Sequence, residues 1–212
     1  MLPYGNHCID EDDIAAVVSV LRSDRLTTGP VVEAFEAAFS EAVGARHAVA
    51  CSSGTAALHL TTAAAGLGPG KTAIVPAVTF LATANAARYT GAEVVFADVD
   101  GETGLMTPES LEKAIGLVEG DALAAVLPVD LNGQCAPMSS LTAIASQHDS
   151  IVIEDACHAL GATYRGESGN SPVGACGAAD MAIFSGHPVK TVATGEGGVV
   201  TTNDVGLASR LK

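Results

Sequence analysis

The chain has 212 residues, of which 48% are hydrophobic and only 4% aromatic, and its formal net charge is −14 at pH 7. This length suits one large domain, and the shortage of aromatic side chains predicts a core of small, closely packed residues, as in a layered α/β domain. The strong negative charge argues against a surface for nucleic acid or for an anionic membrane.

The five cysteines are odd in number, scattered, and mostly placed in apolar or small-residue runs. No C-x-x-C spacing is present, so the sequence predicts reduced thiols, a cytoplasmic protein and no metal site. No basic segment followed by an apolar run occurs at the N-terminus, and no apolar window approaches the length that spans a bilayer. The pattern therefore predicts neither a secreted nor a membrane-spanning chain.

Two helices are predicted in an N-terminal helical segment, residues 1–46. The first follows an acidic run at 10–13, which suits the N-terminal end of a helix dipole, and its apolar residues recur at helical spacing over 14–21. The second follows the break at 26–30 and has one apolar face over 35–42. Both stripes predict helices that pack against the rest of the chain.

From residue 47 onward, short apolar runs alternate with helical stretches, and this alternation sets the predicted fold class. Helices are predicted at 55–65, 81–89, 108–115 and 139–148. Strands are predicted at 47–51, 72–75, 93–97, 124–129, 151–153, 181–184 and 199–201. The alternation predicts an α/β fold, a three-layer sandwich with a mainly parallel seven-stranded sheet covered by helices on both faces. In such sheets, ligands bind beyond the carboxyl ends of the strands.

The ends of the first, second and fourth predicted strands carry polar or aromatic residues. Segment 52–56 (SSGTA) enters a helix directly, so its backbone N–H groups could bind an anion such as phosphate, or its serines could be an ordinary N-cap. Phe80, at the next strand-to-helix junction, could cover a flat ring or belong to the core. The turn at 130–134 (DLNGQ) could be only a turn.

Two charged residues come after the later strands. Asp155 comes directly after a predicted buried strand, where a carboxylate needs a positive partner such as a pyridinium nitrogen; a helix N-cap or a salt bridge are the alternatives. Lys190 lies among small and apolar residues, where a poorly solvated amine can form a Schiff base, although a surface lysine is the alternative. The other lysines lie in a turn, on an amphipathic helix and at the terminus: Lys71, Lys113 and Lys212.

Four of these features would serve one ligand, pyridoxal phosphate (PLP): the N–H groups at 52–56, Phe80, Asp155 and Lys190. An acid keeps the ring nitrogen of this cofactor protonated so that the ring can act as an electron sink, and a lysine forms a Schiff base with its aldehyde. A phosphate cradle and an aromatic cover complete the set. A dinucleotide-binding dehydrogenase is disfavoured, because no G-x-G-x-x-G comes after the first strand.

A set of ordered motifs also carries a resemblance to a known family: 26–30 (LTTGP), 53–60 (SGTAALHL), 154–161 (EDACHALG), 184–190 (FSGHPVK) and 195–198 (GEGG). They resemble the DegT/DnrJ/EryC1/StrS nucleotide-sugar aminotransferases, among the fold-type I PLP enzymes, from near residue 2 to residue 212. The Pro3-Tyr4 opening and 128–130 (PVD) resemble most the subgroup that aminates C4 of a UDP-linked 4-keto-6-deoxy-HexNAc on the pseudaminic acid route.

The resemblance implies specific roles around the ring of PLP. Lys190 would hold the cofactor as a Schiff base and then move a proton between Cα of the amino donor and C4′ of the cofactor. Asp155 would pair with the pyridine nitrogen, and His158 would lie near the ring hydroxyl. Phe80 would stack on the ring.

The resemblance also implies that Gly54, Thr55 and Ser185 hold the phosphate. The donor would be glutamate and the acceptor a nucleotide-linked keto sugar, in two half reactions, within a homodimer. Family members that dehydrate carry His at the position of Lys190, which favours transamination here.

The chain departs from the family pattern in three ways. Gly186 stands where a bulkier residue is usual, and Asn132 stands where an aromatic or small residue is usual; both could alter the sugar pocket. The family continues into a smaller C-terminal domain, whereas this chain ends at residue 212 after a cofactor-binding domain predicted at 47–212. The alternative to a complete enzyme is therefore a truncated cofactor-binding fragment that acts only with a complementing chain.

Overall fold

The computed structural model describes residues 7–120, 122–166 and 169–212, so the Pro3-Tyr4 opening lies outside the described residues. Helix α1 (Glu11–Leu21) begins where the acidic run predicts, because the Asp10 side chain accepts hydrogen bonds from the first turn. The prediction that α1 packs through its apolar stripe is wrong, since α1 buries none of its residues within this chain. Helix α2 (Pro30–Val43) packs against the first strand.

Seven strands form one sheet with the order β1-β9-β8-β5-β4-β2-β3. Their bounds are β1 His47–Cys51, β2 Thr72–Pro76, β3 Glu93–Ala97, β4 Leu123–Val126, β5 Ile151–Asp155, β8 Met181–Ser185 and β9 Gly198–Thr202. The two remaining strands, β6 (Thr163–Gly166) and β7 (Gly169–Pro172), form a separate antiparallel hairpin. The predicted seven-stranded sheet is confirmed, and it is mainly parallel because only β9 runs against its neighbours.

Two strand predictions need correction. The fourth strand ends at Val126 rather than at 129, because beyond that point only an isolated bridge from Val129 to Asp155 continues the pairing. The hairpin β6–β7 was not predicted, since the segment 163–172 (TYRGESGNSP) is polar and lacks the apolar alternation that marks a strand.

Helices cover both faces of the sheet, so the predicted three-layer sandwich is confirmed. Helices α3 (Gly54–Ala64), α4 (Leu81–Tyr89) and α7 (Val205–Leu211) pack on one face, and α2, α5 (Pro108–Ile115) and α6 (Met138–Ser146) pack on the other. Both layers rest largely on alanine, valine and leucine, as the low aromatic content predicts. None of the helices in the described residues is long and apolar enough to cross a bilayer.

Two carboxyl groups, Asp130 and Glu154, are buried together on the sheet face opposite Asp155. Asp130 and Glu154 are 1% and 2% exposed, and the predicted turn at 130–134 is present as a 3-10 turn over Leu131–Gly133. One oxygen of Asp130 accepts the N–H of Ala136 at 2.7 Å, and one of Glu154 accepts the N–H of Gly174 at 3.3 Å. The remaining oxygens have no other hydrogen-bond partner among the described residues. A single proton shared between the two side chains satisfies both.

Burial is the main reason that both carboxyl groups keep a proton more readily than usual. Burial raises the pKa of Glu154 to about 8, and the nearby charge of Asp130 adds to this effect. Burial also raises the pKa of Asp130 to about 6, although the N–H of Ala136 opposes the rise. The two carboxyl groups therefore titrate as one coupled pair, above the ordinary range of a carboxyl group.

This pair predicts that stability falls as the pH rises from the ordinary pKa values of the two groups, 3.8 and 4.5, to about 8. Both pKa values lie above their ordinary values of 4.5 and 3.8, so the folded chain binds more protons than the unfolded chain. The stability contributed by the pair is therefore present at low pH and lost as the pH rises through about 6 and about 8. Urea denaturation is expected to show this fall for the unaltered chain and a flatter profile for Glu154→Gln, which keeps a donor but does not titrate.

Glu112→Gln is the matched control, because Glu112 is an exposed carboxylate on α5. Its profile should match that of the unaltered chain. Parallel profiles for the unaltered chain and Glu154→Gln would contradict the shared proton.

Candidate active site

A cavity of about 550 Å³ lies beyond the carboxyl ends of β1, β2, β4, β5 and β8. The parallel strands direct these ends to one edge of the sheet, which is where the sequence predicts the site. The structure brings all seven predicted site residues into the lining of this one cavity: Gly54, Thr55, Phe80, Asp155, His158, Ser185 and Lys190.

The N-terminus of α3 forms one wall of the cavity. Ser53 is the N-cap and accepts the N–H of Ala56 at 3.1 Å, whereas the N–H groups of Gly54 and Thr55 make no hydrogen bond among the described residues. A Cβ at position 54 would lie 2.8 Å from Cβ of Ser185, so only glycine fits this close approach. The wall therefore combines free N–H groups and the positive end of a helix dipole with the nearby hydroxyl groups of Ser53 and Ser185.

Asp155 forms the floor of the cavity and is 4% exposed. Its Oδ2 accepts the hydroxyl of Thr83 at 2.8 Å, and its Oδ1 accepts the N–H of Cys157 at 3.3 Å. No salt bridge reaches it among the described residues, and no helix begins there, so both alternatives named for this residue are wrong. A buried carboxylate without a protein cation suits a ligand that brings a positive charge or an N–H donor.

His158 lies beside this carboxylate as a neutral imidazole. Burial lowers its pKa, the positive charge of Lys190 lowers it further, and Asp155 opposes both effects. Its Nδ1 accepts the backbone N–H of Asn132 at 3.3 Å, so the proton of the neutral ring is on Nε2. His158 can therefore donate a hydrogen bond to a ligand oxygen. Sequence reasoning missed this contribution of the Asn132 backbone, which no side-chain pattern reveals.

Lys190 lies in the loop between β8 and β9 rather than at the strand end that the sequence predicts. Its backbone N–H donates to the carbonyl of His187 at 2.8 Å. Hydrogen bonds of 2.8 Å from Gly186 to Gly197 and from Thr194 to Gly186 close the base of the loop. The Lys190 amine makes no ion pair or hydrogen bond among the described residues, so it is free to react.

Gly186 is required by the packing of the loop that carries Lys190. A Cβ at position 186 would overlap the Thr194 hydroxyl, which lies 3.3 Å from the carbonyl oxygen of Gly186 and 3.2 Å from that of Glu196.

Phe80 lies at the mouth of the cavity and is 71% exposed. The alternative that it belongs to the core is therefore wrong. It is the N-cap residue of α4, where an extended backbone directs the chain from β2 into the helix. Its ring is available to cover a flat ligand.

Sequence reasoning missed two threonines near the cavity floor, Thr79 and Thr83. Their hydroxyl groups lie 2.8 Å apart, and Thr83 is fully buried against Asp155. Their spacing of four residues at a predicted helix start was the available signal, because such residues lie on one side of a helix.

Comparison with known proteins identifies relatives of this chain. The model of the DegT/DnrJ/EryC1/StrS aminotransferase family matches residues 7–212. SpsC, a spore coat polysaccharide biosynthesis protein of Bacillus subtilis (strain 168), is 41% identical over 211 residues, covering 100% of this chain and 52% of SpsC.

Two solved structures have the same fold. Spr1654 of Streptococcus pneumoniae, described as a sugar aminotransferase and solved in its PLP form, has a TM-score of 0.88 and 30% identity over 99% of this chain and 56% of its own. PseC of Helicobacter pylori, an aminotransferase involved in the biosynthesis of pseudoaminic acid, has a TM-score of 0.86 and 32% identity over 99% of this chain and 54% of its own.

These comparisons settle the family but not the subgroup. Identity to PseC is lower than identity to SpsC, so the resemblance of 128–130 to the pseudaminic acid subgroup stays a prediction. The chain spans about half the length of the relatives that it matches. Because the family model matches residues 7–212, the chain belongs to the DegT/DnrJ/EryC1/StrS aminotransferase family.

Proposed function

We propose that this chain is the cofactor-binding part of a PLP-dependent aminotransferase that moves an amino group from glutamate to C4 of a nucleotide-linked 4-keto-6-deoxy sugar. One observation carries this proposal: a single cavity holds a lysine amine and a buried carboxylate that form no ion pair within the described residues, together with free N–H groups at a helix N-terminus. Membership of the family and the sugar aminotransferases among its relatives support the reaction class.

The residues present fit PLP at three separate points. The carboxylate of Asp155 matches the pyridinium nitrogen, because it is buried and has no ion pair among the described residues. The N–H groups of Gly54 and Thr55, with the hydroxyl of Ser185, match the phosphate, and the glycine leaves room that a Cβ would fill. Lys190 supplies an amine for the aldehyde.

Bound PLP would supply an electron sink for the electrons released at Cα of the amino donor. Asp155 holds the proton of the ring nitrogen in place, which keeps the sink effective. His158 would donate from Nε2 to the ring oxygen, and Phe80 would cover the ring and exclude water. Lys190 would hold the cofactor through its amine and would then serve as general base and general acid for the proton of the amino donor.

The wider setting of the site is also part of this proposal. We assign residues 47–212 to the cofactor-binding unit and 1–46 to a helical segment joined to it. Association as a homodimer is supported by the exposed apolar side chains of α1 and α2, among them Val17, Leu21 and Phe35. A cytoplasmic location is supported by five free cysteines.

A second candidate function is a fragment that binds PLP but needs a complementing chain for turnover. The chain spans about half the length of the relatives that it matches. Both candidates share the site, and they differ in whether bound cofactor reacts with an amino donor in this chain alone.

Reduction with borohydride tests the site itself. PLP added to the chain and then reduced should become fixed to Lys190, where peptide mapping should find the added mass. Lys190→Ala should abolish this labelling, whereas Lys113→Ala, at an exposed position on α5, should not change it. Labelling at another lysine, or unchanged labelling in Lys190→Ala, would refute the proposed function.

Addition of glutamate separates the two candidates. An active chain should lose the absorption band of its PLP adduct when glutamate is added, because the amino group moves to the cofactor. A band that persists with glutamate, together with intact labelling of Lys190, would favour the fragment that only binds.

The phosphate wall predicts that a single methyl group weakens cofactor binding. In Gly54→Ala the new Cβ crowds Ser185 and the Cys157 sulfur, at 2.8 and 3.2 Å, and narrows the space beside the free N–H groups. We expect the dissociation constant of PLP to rise about tenfold or more, a change on the order of one hydrogen bond to a charged group. Gly101→Ala, where no atom lies within 4 Å of the new Cβ, is the control. Equal affinities, measured by fluorescence titration, would contradict the assignment.

A further inference from the structure

We propose that Thr83 and Thr79 are positioning residues that fix the Asp155 carboxylate through a chain of two hydroxyl groups, of which Thr83 is buried and Thr79 is half-buried at the cavity. The inference rests on the proposed function, because Asp155 acts there on the ring nitrogen of the cofactor. It concerns how the chain holds this acid without a cationic side chain.

The direction of both hydrogen bonds is set by the chemistry of the three groups. An ionised carboxylate only accepts hydrogen bonds, so the single proton of the Thr83 hydroxyl is donated to Oδ2 of Asp155 at 2.8 Å. Thr83 then has only lone pairs for the Thr79 hydroxyl, which lies 2.8 Å away and must be the donor. The order is Thr79 to Thr83 to Asp155.

The start of α4 holds this chain in place. Thr79 precedes the N-cap residue Phe80, and Thr83 lies one turn into the helix, where its N–H donates to the carbonyl of Phe80 at 3.0 Å. Thr83 is fully buried, so water does not replace its hydroxyl. The start of α4 therefore positions both the Thr83 hydroxyl, which binds Asp155, and the Phe80 ring at the mouth of the cavity.

The hydroxyl chain leaves the two oxygens of Asp155 in different surroundings. Oδ2 receives the short hydrogen bond from Thr83, whereas Oδ1 receives only the longer one of 3.3 Å from the N–H of Cys157. A donor on Oδ2 restricts rotation of the carboxylate, so that its orientation toward a ring nitrogen is fixed. Thr83 thus acts on the cofactor through Asp155, without touching it.

Four threonine variants test this inference in the full chain. Thr83→Val removes the donor and keeps the shape of the side chain, Thr83→Ser keeps the donor, and Thr79→Val removes only the second hydroxyl. Thr62→Val is the matched control, because Thr62 is fully buried on α3 and its hydroxyl bonds only to backbone carbonyls of His59 and Ala86.

The primary readout is the dissociation constant of PLP, and the second is the pH titration of the absorption band of the bound cofactor. We expect Thr83→Val to bind PLP about tenfold or more weakly and to shift the titration, since it loses a hydrogen bond to a charged group. Thr79→Val should bind PLP roughly two- to tenfold more weakly, as expected for the loss of a hydrogen bond between neutral groups. Thr83→Ser and Thr62→Val should behave as the unaltered chain in both readouts.

Unchanged affinity and titration in a folded Thr83→Val would overturn the inference. If Thr83→Val does not fold, Thr79→Val and Thr83→Ser decide: the inference requires a loss in the first and none in the second, and any other pair of results overturns it. Failure of the proposed function is a different outcome, because the unaltered chain would then form no adduct on Lys190.

Discussion

A carboxylate buried at the end of β5, which no cation of the described residues pairs with, is the constraint on which the arrangement of this site depends. Asp155 is 4% exposed and is held only by one hydroxyl and one backbone N–H. Burial of such a charge is costly unless a ligand completes the neutralisation. The surrounding elements are consistent with this requirement, because a free amine, free helix N–H groups and a neutral imidazole face the same cavity.

Glu154, the neighbour of Asp155 on β5, shows that the environment of a carboxyl group decides its role in this chain. Successive side chains of a strand point to opposite faces of a sheet, so β5 directs Asp155 to the cavity and Glu154 to the opposite core. Glu154 meets Asp130 there and retains a proton because burial raises its pKa. The charge of Asp155 in turn contributes to the raised pKa of Asp130, so the two faces are electrostatically linked.

Much of this arrangement is predictable from the sequence, because a parallel sheet directs the carboxyl ends of its strands to one edge. That rule is sufficient to bring Gly54, Phe80, Asp155 and Lys190 together from widely separated segments. The features that the sequence does not reveal depend on contacts between side chains and backbone. The burial of Asp130 and the hydroxyl of Thr83 are of this kind, since polar residues in turns and helices are usually solvated.

In the loop that carries the lysine, the residue at 186 and the position of Thr194 depend on each other. With glycine at 186, the Thr194 hydroxyl occupies the space that any side chain at 186 would need, and it lies within hydrogen-bond distance of carbonyl oxygens at the base of the loop. A bulkier residue at 186 and the present position of Thr194 are mutually exclusive. The backbone hydrogen bonds between residues 186, 194 and 197 therefore depend on both residues, and they hold the base of the loop from which Lys190 extends into the cavity.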